Sequence, residues 1–517
     1  MIFEAEYKKQ TSLSHRKKFA QFFTPEPIAK TMVNWILDTP NFHSMLEPAF
    51  GLGIFSRLIL KRKRNITITA FDVDEKILNI AKNNFNNQRN INFFLEDYLF
   101  NDWNQKYDTV ICNPPYFKFH DYENKKSLKE INEILKINLS GFTNIYSLFL
   151  LKSIYQLNED GRAAFIVPSE FLNSDYGKIV KDYLIKSKSL RHIIIFDSKK
   201  NIFDDALTTS AIILLEKNFK SSKVSFSNIK TLSQLEQYPD VPIVEFETTQ
   251  LDSKIKWRAY YKKQESINFI DLIPFSSVAK VVRGIATGSN EYFVFNKSKA
   301  KKYNIPNECL LPCITRSKDI KLSFFFNEDL DVLKNADANI FLLDARKCQT
   351  DNNIKKYIEI GEKKEINKKY LTSKRSPWFS LENREPSPIW VGVFNRNGLK
   401  FIRNEANVLN LTTFHCIYHN AKLFNSFNID LLFAYLLTDV AKKIFNDNRR
   451  EYGDGLRKFE PNDLNNALML DLSKLDKAAE SKIINLYYDF RETVIIKKPV
   501  LGYVEEINSI LVTKYKA

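Results

Sequence analysis

A chain of 517 residues with 77 Lys and Arg against 61 Asp and Glu carries a formal net charge of +16. That length exceeds what one hydrophobic core supports, so two domains are expected, and the positive excess points to a polyanionic partner, nucleic acid before an anionic membrane surface. No apolar run is long enough to span a bilayer, and Cys112, Cys309, Cys313, Cys348 and Cys416 form no CxxC pair, which sets metal-ligand spacing aside and predicts reduced thiols in a cytosol.

From Met1 to about Phe19 the chain is polar and basic and reads as an arm or a short helix. In KKFAQFFTPEPIAKTMVNWIL, Thr24 is placed as a helix N-cap with Pro25 in the first turn. Ile28, Met32, Val33, Ile36 and Leu37 then repeat at helical spacing. Residues 44 to 215 alternate between two patterns. Strands are expected at Ser44–Glu47, Ile66–Asp72, Ile91–Leu95, Thr109–Cys112, Ala163–Pro168, His192–Phe196 and Ser210–Leu215, with helices between them, as at Glu75–Asn84 and Tyr146–Leu157. Such alternation predicts a largely parallel α/β sheet covered on both faces, whose ligands bind at the carboxyl ends of the strands.

From about Lys217 the pattern loosens into short mixed segments rich in Lys and Asn, with helical stretches near Ile429–Phe445 and Ala478–Ile495. The domain boundary is expected between residues 217 and 265 and is drawn after residue 235, giving units 1–235 and 236–517.

The first strand runs into LEPAFGLGIF. Gly51 and Gly53 let backbone approach a ligand closely, although a Gly-x-Gly alone fits an ordinary strand-to-helix turn equally well. Glu47 ahead of the glycines would repel a pyrophosphate and suits a cationic ligand. Asp72 ends the next strand, about 20 residues on, where an acid can take both ribose hydroxyls. No GxxxxGK[ST] cradles a triphosphate. A nucleoside with a positive, non-phosphate tail fits the set, which is the chemistry of S-adenosyl-L-methionine. The third strand ends in LEDYLF, where Asp97 either accepts from an adenine amine, with Tyr98 alongside the ring, or caps the turn.

The fourth strand ends in DTVICNPPY. By itself Asn-Pro-Pro is a common strand terminator. Yet four successive strand ends now carry Glu47, Asp72, Asp97 and Asn113, a regularity that random polar loops do not produce.

The order TPEPIA, EPAFGLG, FDVD, EDY, NPPY resembles the DNA adenine-N6 methyltransferases of the gamma motif order (N12-type) found in restriction-modification systems. The likeness covers roughly residues 19–215. It implies a Rossmann-like S-adenosylmethionine-dependent domain on a seven-stranded, mostly parallel sheet, followed by a mixed α+β DNA-recognition domain. It further implies that Thr24, Glu47, Ala49, Gly51 and Gly53 meet the methionine end of the cofactor, Asp72 the ribose, and Asp97 with Tyr98 the adenine. Asn113 and the Pro114 carbonyl would accept from the amino group of the target adenine, on a loop stiffened by Pro114 and Pro115. Tyr116 would stack on that base once it is flipped from double-stranded DNA, with Phe203, or nearby Phe196, as a second aromatic.

The basic half would then choose the DNA site. RGIATGSNEYF (283–293) and RREYGDGLRKFEPNDL (449–464) resemble segments of recognition domains, the latter offering Arg450, Tyr452, Arg457 and Lys458. Lys363, Lys364, Lys368, Lys369, Lys374 and Arg375 form another candidate phosphate patch, against the bland reading of solvated surface charges. A separate restriction endonuclease and a cytoplasmic location, near the nucleoid, are the corresponding partner and compartment. Three readings compete: a modification subunit that needs a separate specificity subunit, a methyltransferase acting on RNA or on a protein amide, and a DNA-binding protein that keeps the fold without catalysis.

Overall fold

A computed structural model describes residues 2–117, 125–196, 209–218, 222–236, 243–262, 264–395, 398–419, 428–448, 450–451, 457–498 and 502–517. The chain divides into two compact units, Met1–Lys263 with Arg450–Gly455, and Gln264–Arg449 with Leu456–Ala517.

Among the described residues the first unit is organised on one sheet in the order β3-β2-β1-β4-β5-β7-β6-β8-β9. Its strands are β1 (Ser44–Glu47), β2 (Thr67–Asp72), β3 (Ile91–Leu95), β4 (Tyr107–Cys112), β5 (Leu157–Pro168), β6 (Leu190–Phe196), β7 (Ser210–Glu216), β8 (Lys223–Ile229) and β9 (Ile243–Glu247). Neighbours from β3 through β5 are parallel. Strand β7 is inserted antiparallel between β5 and β6. Every residue of β7 is buried, the continuous apolar run demanded of a strand covered on both faces.

All seven expected strands are present. The sheet nevertheless extends by two, β8 parallel to β6 and β9 antiparallel to β8. Strand β9 is five residues long and has only half-buried and exposed residues, and with it the unit ends later than residue 235.

Helices α1 (Ile2–Gln10) and α2 (Leu13–Lys18) precede α3 (Glu26–Leu37). Helix α3 packs Ile28, Ala29, Met32, Val33 and Ile36 inward at the expected spacing. Its N-cap is Pro25, without a side-chain cap, and not Thr24; the Thr24 hydroxyl is taken by Asn113 instead. Helix α4 (Ile54–Leu60) follows the glycine loop, and α5 (Glu75–Asn84) is capped by Asp74, which accepts from the Lys76 N–H. Helices α6 (Lys125–Leu135) and α7 (Ile145–Tyr155) lie between β4 and β5 in the chain.

The second unit is mixed α+β. Its largest sheet orders Ala279–Arg283, Phe414–His419, Ile389–Gly392, Phe401–Asn404 and Phe324–Phe325. The stretch expected as one helix at Ile429–Phe445 is two, Ile429–Leu437 and Asp439–Asn446, because the Thr438 hydroxyl accepts from the Ala441 N–H and starts a new helix. Lys477–Ile495 and Tyr503–Tyr515 follow, and Phe433, Ile444, Tyr487 and Leu511 share one core with the sheet residues Val281 and Ile417.

The expectation of reduced thiols throughout is corrected in this unit: Cys309 and Cys348 are joined as a disulfide, with Cα atoms 6.1 Å apart. Leu310 and Leu343 pair across an antiparallel ladder, which brings the turns flanking them together. A separation of 39 residues hides that from any spacing rule. No helix among the described residues is long and apolar enough to cross a membrane.

Candidate active site

A cavity of about 430 Å³ lies at the carboxyl ends of β1 to β4. Its size is ordinary for a small-molecule site. Thr24, Glu47, Ala49 and Gly51 line it, together with Asp72, Asp97, Tyr98, Asn113 and Pro115. The strand ends therefore converge on one space.

The loop after β1 is folded by its glycines. Gly51 has φ of +55° and Gly53 of +68°, the left-handed region that penalises a Cβ. A Cβ on Gly53 would also come within 2.5 Å of the Phe50 ring and 2.7 Å of Phe85. The Gly51 N–H donates to Asp72 Oδ2 at 2.8 Å, and the Asp74 N–H to Asp72 Oδ1 at 2.9 Å. Asp72 thus ties the glycine loop to the end of β2 while facing the cavity. Burial pushes its carboxyl up to about 6.

Glu47 is fully buried at the end of β1. Oε2 accepts from Ser56 Oγ at 2.6 Å, and Oε1 has no partner among the described residues. Burial pushes this carboxyl up to about 8, with Ser56 and the Arg57 guanidinium drawing it partway back. The group is mostly protonated near neutral pH until a cation arrives beside it.

The third strand end shows the capping reading of Asp97. Asp97 lines the cavity and also accepts from the Leu99 N–H at 2.9 Å. Tyr98 is 1 % exposed: its ring packs among Phe71 and Phe149, and its hydroxyl donates to Gln156 Oε1 at 2.7 Å. The turn is held from below by Lys152 on α7, whose Nζ donates to the carbonyls of Tyr98 (2.8 Å), Leu99 (3.2 Å) and Asn101 (2.7 Å). Burial pulls that ammonium down to about 8.

Asn113 meets the segment before α3. Its Nδ2 donates to the Phe22 carbonyl at 2.7 Å and to Thr24 Oγ1 at 3.0 Å. Because a carbonyl can only accept, the amide must present its NH2 there, and Oδ1 is left buried with no partner among the described residues. Tyr116 donates its hydroxyl to the Ile166 carbonyl at 3.1 Å and stacks on Phe22, ring centroids 5.9 Å apart at 21°. Burial pushes the phenol well up, so it stays neutral.

Pro114 is buried beside these groups, and Pro115 forms cavity wall. Phe203 lies outside the described residues. Phe196 is 2 % exposed within the core of the sheet. Sequence reasoning missed Phe22, Ser56 and Lys152. The doubled Phe of QFFTPEP was the one available signal, an aromatic pair at the end of an otherwise basic arm.

In the second unit the basic candidates separate by partner. Arg375 donates to the Ala286 carbonyl and, at 2.9 Å, to that of Thr287, and Lys369 Nζ donates to Ser289 Oγ at 3.0 Å. Both brace the 283–293 segment, where Gly288 has φ of +83°. Lys363, Lys364, Lys368, Lys369 and Lys374 are all exposed. Lys368 pairs with Glu365 at 2.7 Å, and Lys374 sits 4.0 Å from the Tyr370 ring centre. Lys458 is paired with Glu460. Tyr452 and the side chains of Arg450 and Arg457 lie outside the described residues.

Residues 48–203 match the family model "Eco57I restriction-modification methylase", and residues 254–504 match "Type II methyltransferase M.Eco57I, C-terminal domain". The chain is 56% identical over 521 residues to the type II methyltransferase M.AccI of Acinetobacter calcoaceticus, covering 99% of this chain and 96% of that one. It is 21% identical over 482 residues to the type II methyltransferase M.XamI of Xanthomonas campestris pv. amaranthicola, covering 90% and 87%. Among solved structures, the type IIL restriction-modification enzyme MmeI, in complex with DNA, shares the fold over 99% of this chain and 78% of its own, with a TM-score of 0.62 and 11% identity.

Proposed function

The chain belongs to the type II DNA methyltransferases of restriction-modification systems, and from that premise we propose that it transfers a methyl group from S-adenosyl-L-methionine to the N6 amino group of an adenine flipped out of double-stranded DNA. The observation that carries this reading is the Asn113 amide. Its NH2 is fixed on Phe22 and Thr24, so its unpaired Oδ1 is an acceptor aimed in advance, beside a cavity lined by acids.

The residues present fit the cofactor. Glu47 offers an unpaired buried oxygen to a cation, the glycine loop admits backbone close to a ligand, and Asp72 and Asp97 supply cavity-lining acceptors for ribose and adenine donors. When bound, S-adenosylmethionine supplies an electrophilic methyl, whose bonding electrons return to sulfur.

The chain's own residues do the rest. An exocyclic amine conjugated to a purine is a poor nucleophile, because its lone pair is delocalised into the ring. Asn113 Oδ1 and the Pro114 carbonyl accept its two hydrogens, which favours a pyramidal nitrogen with the lone pair free to attack. Preorganised acceptors cost no rearrangement during the reaction. The amine proton becomes acidic only after the new bond makes the nitrogen cationic, so no strong base is needed beforehand. Tyr116 stacks on the flipped base and recovers about 1–3 kcal/mol of lost stacking. Phe203 is the second aromatic of this reading.

The first unit is then the catalytic domain and the second the target-recognition domain, with Lys368, Lys374, Arg450, Tyr452, Arg457 and Lys458 as its DNA-facing candidates, while Lys369 and Arg375 hold the 283–293 segment that presents them. Recognition within the same chain removes the need for a specificity subunit. A cognate endonuclease and the bacterial cytoplasm complete the assignment.

The test is to incubate the purified protein and an Asn113→Ala variant with radiolabelled S-adenosylmethionine and unmethylated plasmid DNA, then digest to nucleosides. N6-methyldeoxyadenosine from the wild type alone is the expected result. Label on another base replaces the target, and unlabelled DNA from a wild type that binds the cofactor overturns the DNA reading.

A further inference from the structure

The cofactor cavity has an unassigned wall. Helices α1 and α2 lie ahead of the first motif, yet Glu4, Lys18, Phe19 and Ala20 line the same space as Glu47. The helix pair is fastened there. Tyr7 is 2 % exposed against Leu52 and Ile77 and stacks edge-on with Phe23 at 5.7 Å. The Tyr7 hydroxyl donates to Gln21 Oε1 at 3.0 Å, Gln21 Nε2 donates to Asp74 Oδ2 at 2.6 Å, and His15 Nε2 lies 2.8 Å from that same oxygen.

Glu4 is the unusual member of this wall. It is 2 % exposed; Oε1 is bound by Arg57 of α4, while Oε2 is buried without a partner among the described residues. Arg57 also lies close enough to Glu47 to favour its ionised form. Two acids therefore share one guanidinium, and each has an oxygen left over. Leaving buried carboxylate oxygens unpaired is costly, so the arrangement is incomplete without a donor. With both acids ionised the trio carries one net negative charge, which a single further cation neutralises.

We propose that Glu4 is a cofactor-binding residue, its free oxygen gripping, together with that of Glu47, the α-ammonium at the amino-acid end of the ligand. The proposal rests on the reading of the cavity as an S-adenosylmethionine site and extends that site to a helix outside its motifs. Ligand binding then locks α1 against the glycine loop.

The experiment compares the affinities of the full-length wild type and Glu4→Gln for S-adenosylmethionine, S-adenosylhomocysteine and 5′-methylthioadenosine, which lacks the amino-acid end. Glu4→Gln keeps shape and an oxygen for Arg57 but removes the charge. Expected is a loss of roughly tenfold or more for the two amino-acid-bearing ligands, with methylthioadenosine unchanged. An equal loss for all three marks a purely structural role through Arg57 and overturns the proposal, as does no loss. A wild type that binds none of the three overturns the cofactor reading itself, and Glu4 with it.

Limited trypsin digestion of the wild type gives a readout that needs no variant. Cleavage after Lys8 and Lys9 on α1 is expected to slow with S-adenosylhomocysteine and not with methylthioadenosine. Equal protection by both, or by neither, sinks the assignment.

Discussion

The strand-end cavity and the basic half present the same problem in opposite forms. In the cavity, single residues chosen for position (Glu47, Asp72, Asp97 and Asn113) converge on one space. In the basic half, residues chosen for charge scatter into different tasks: Arg375 and Lys369 brace a loop, Lys458 is paired with an acid, and Lys368 and Lys374 remain exposed. Position along a parallel sheet dictates what a side chain can meet, because the carboxyl ends of neighbouring strands share one edge. Charge dictates only a preference for solvent or a counter-ion. A variant of each kind should therefore fail differently.

The largest effect is expected from Asn113→Ala. Removing a preorganised group aimed at the reacting atom costs on the order of 10²–10³-fold in rate. The Asn113 amide also holds Phe22 and Thr24, so a supporting role would show as weakened cofactor binding. Single-turnover methylation should fall by that factor with the cofactor Kd retained. A collapse of both would turn the residue from reactant contact into scaffold and break the contrast with the basic half.

Glu47 sharpens the comparison through pH. Its carboxyl is raised to about 8 in the empty site by burial. A cationic ligand needs it ionised, so binding at pH 7 should release close to one proton, and affinity should fall about tenfold per pH unit below 8. Calorimetry in buffers of different ionisation enthalpy measures the proton directly. Glu47→Gln should flatten the profile. In the ligand-free protein the sign is fixed by the same shift: a carboxyl whose folded value exceeds its unfolded one stabilises most below the unfolded value. That contribution is lost as pH rises from about 4.5 towards about 8. Asp72, raised to about 6, adds to the same slope. A ligand-free stability that climbs over this window would contradict the burial of Glu47.

Arg375→Ala should act on stability and not on DNA. The change strips the Ala286 and Thr287 carbonyls of their donor and should cost about 1–3 kcal/mol in denaturant unfolding. If affinity for DNA falls with stability untouched, Arg375 belongs to the interface and the bracing is incidental.

Much of the first unit was legible because its chemistry is punctuated. Gly51, Gly53, Pro114 and Pro115 mark the turns, and apolar runs such as Ala211–Leu215 mark the strands between them. What stayed hidden depends on pairing between distant segments. Strand β9 is only five residues long and buries none of them, and its place is set by β8. Cys309 and Cys348 meet only because Leu310 and Leu343 pair. Thr24 looked like a cap from its neighbours in sequence, but Asn113, 89 residues away, claims its hydroxyl. The N-terminal helices read as a basic arm because their buried members, Glu4 and Tyr7, are a polar residue and a single aromatic, which leave no periodic stripe.

The smallest effect distinguishes the lysines that contact only their own turn from the one that braces the 283–293 segment. Lys368 and Lys374 are exposed, and the acid paired with Lys368 is itself 68% exposed, so exchanging either lysine for alanine removes little folding energy. If they meet phosphates, each removes one released counterion. The slope of log affinity against log salt should then drop by about 0.9 per lysine, which changes the salt effect between 50 and 200 mM only about threefold to fourfold. Sequence preference should not change, because a phosphate contact carries no base identity. The measurement is a salt titration of DNA binding by Lys368→Ala, Lys374→Ala and the double variant, beside Lys369→Ala as the braced control. Additive slope losses in the first three and none in the control would assign the phosphate surface to the lysines that brace no distant segment. An equal slope loss in Lys369→Ala would mean that bracing and binding coincide there, and charge alone would then have been as good a guide as position.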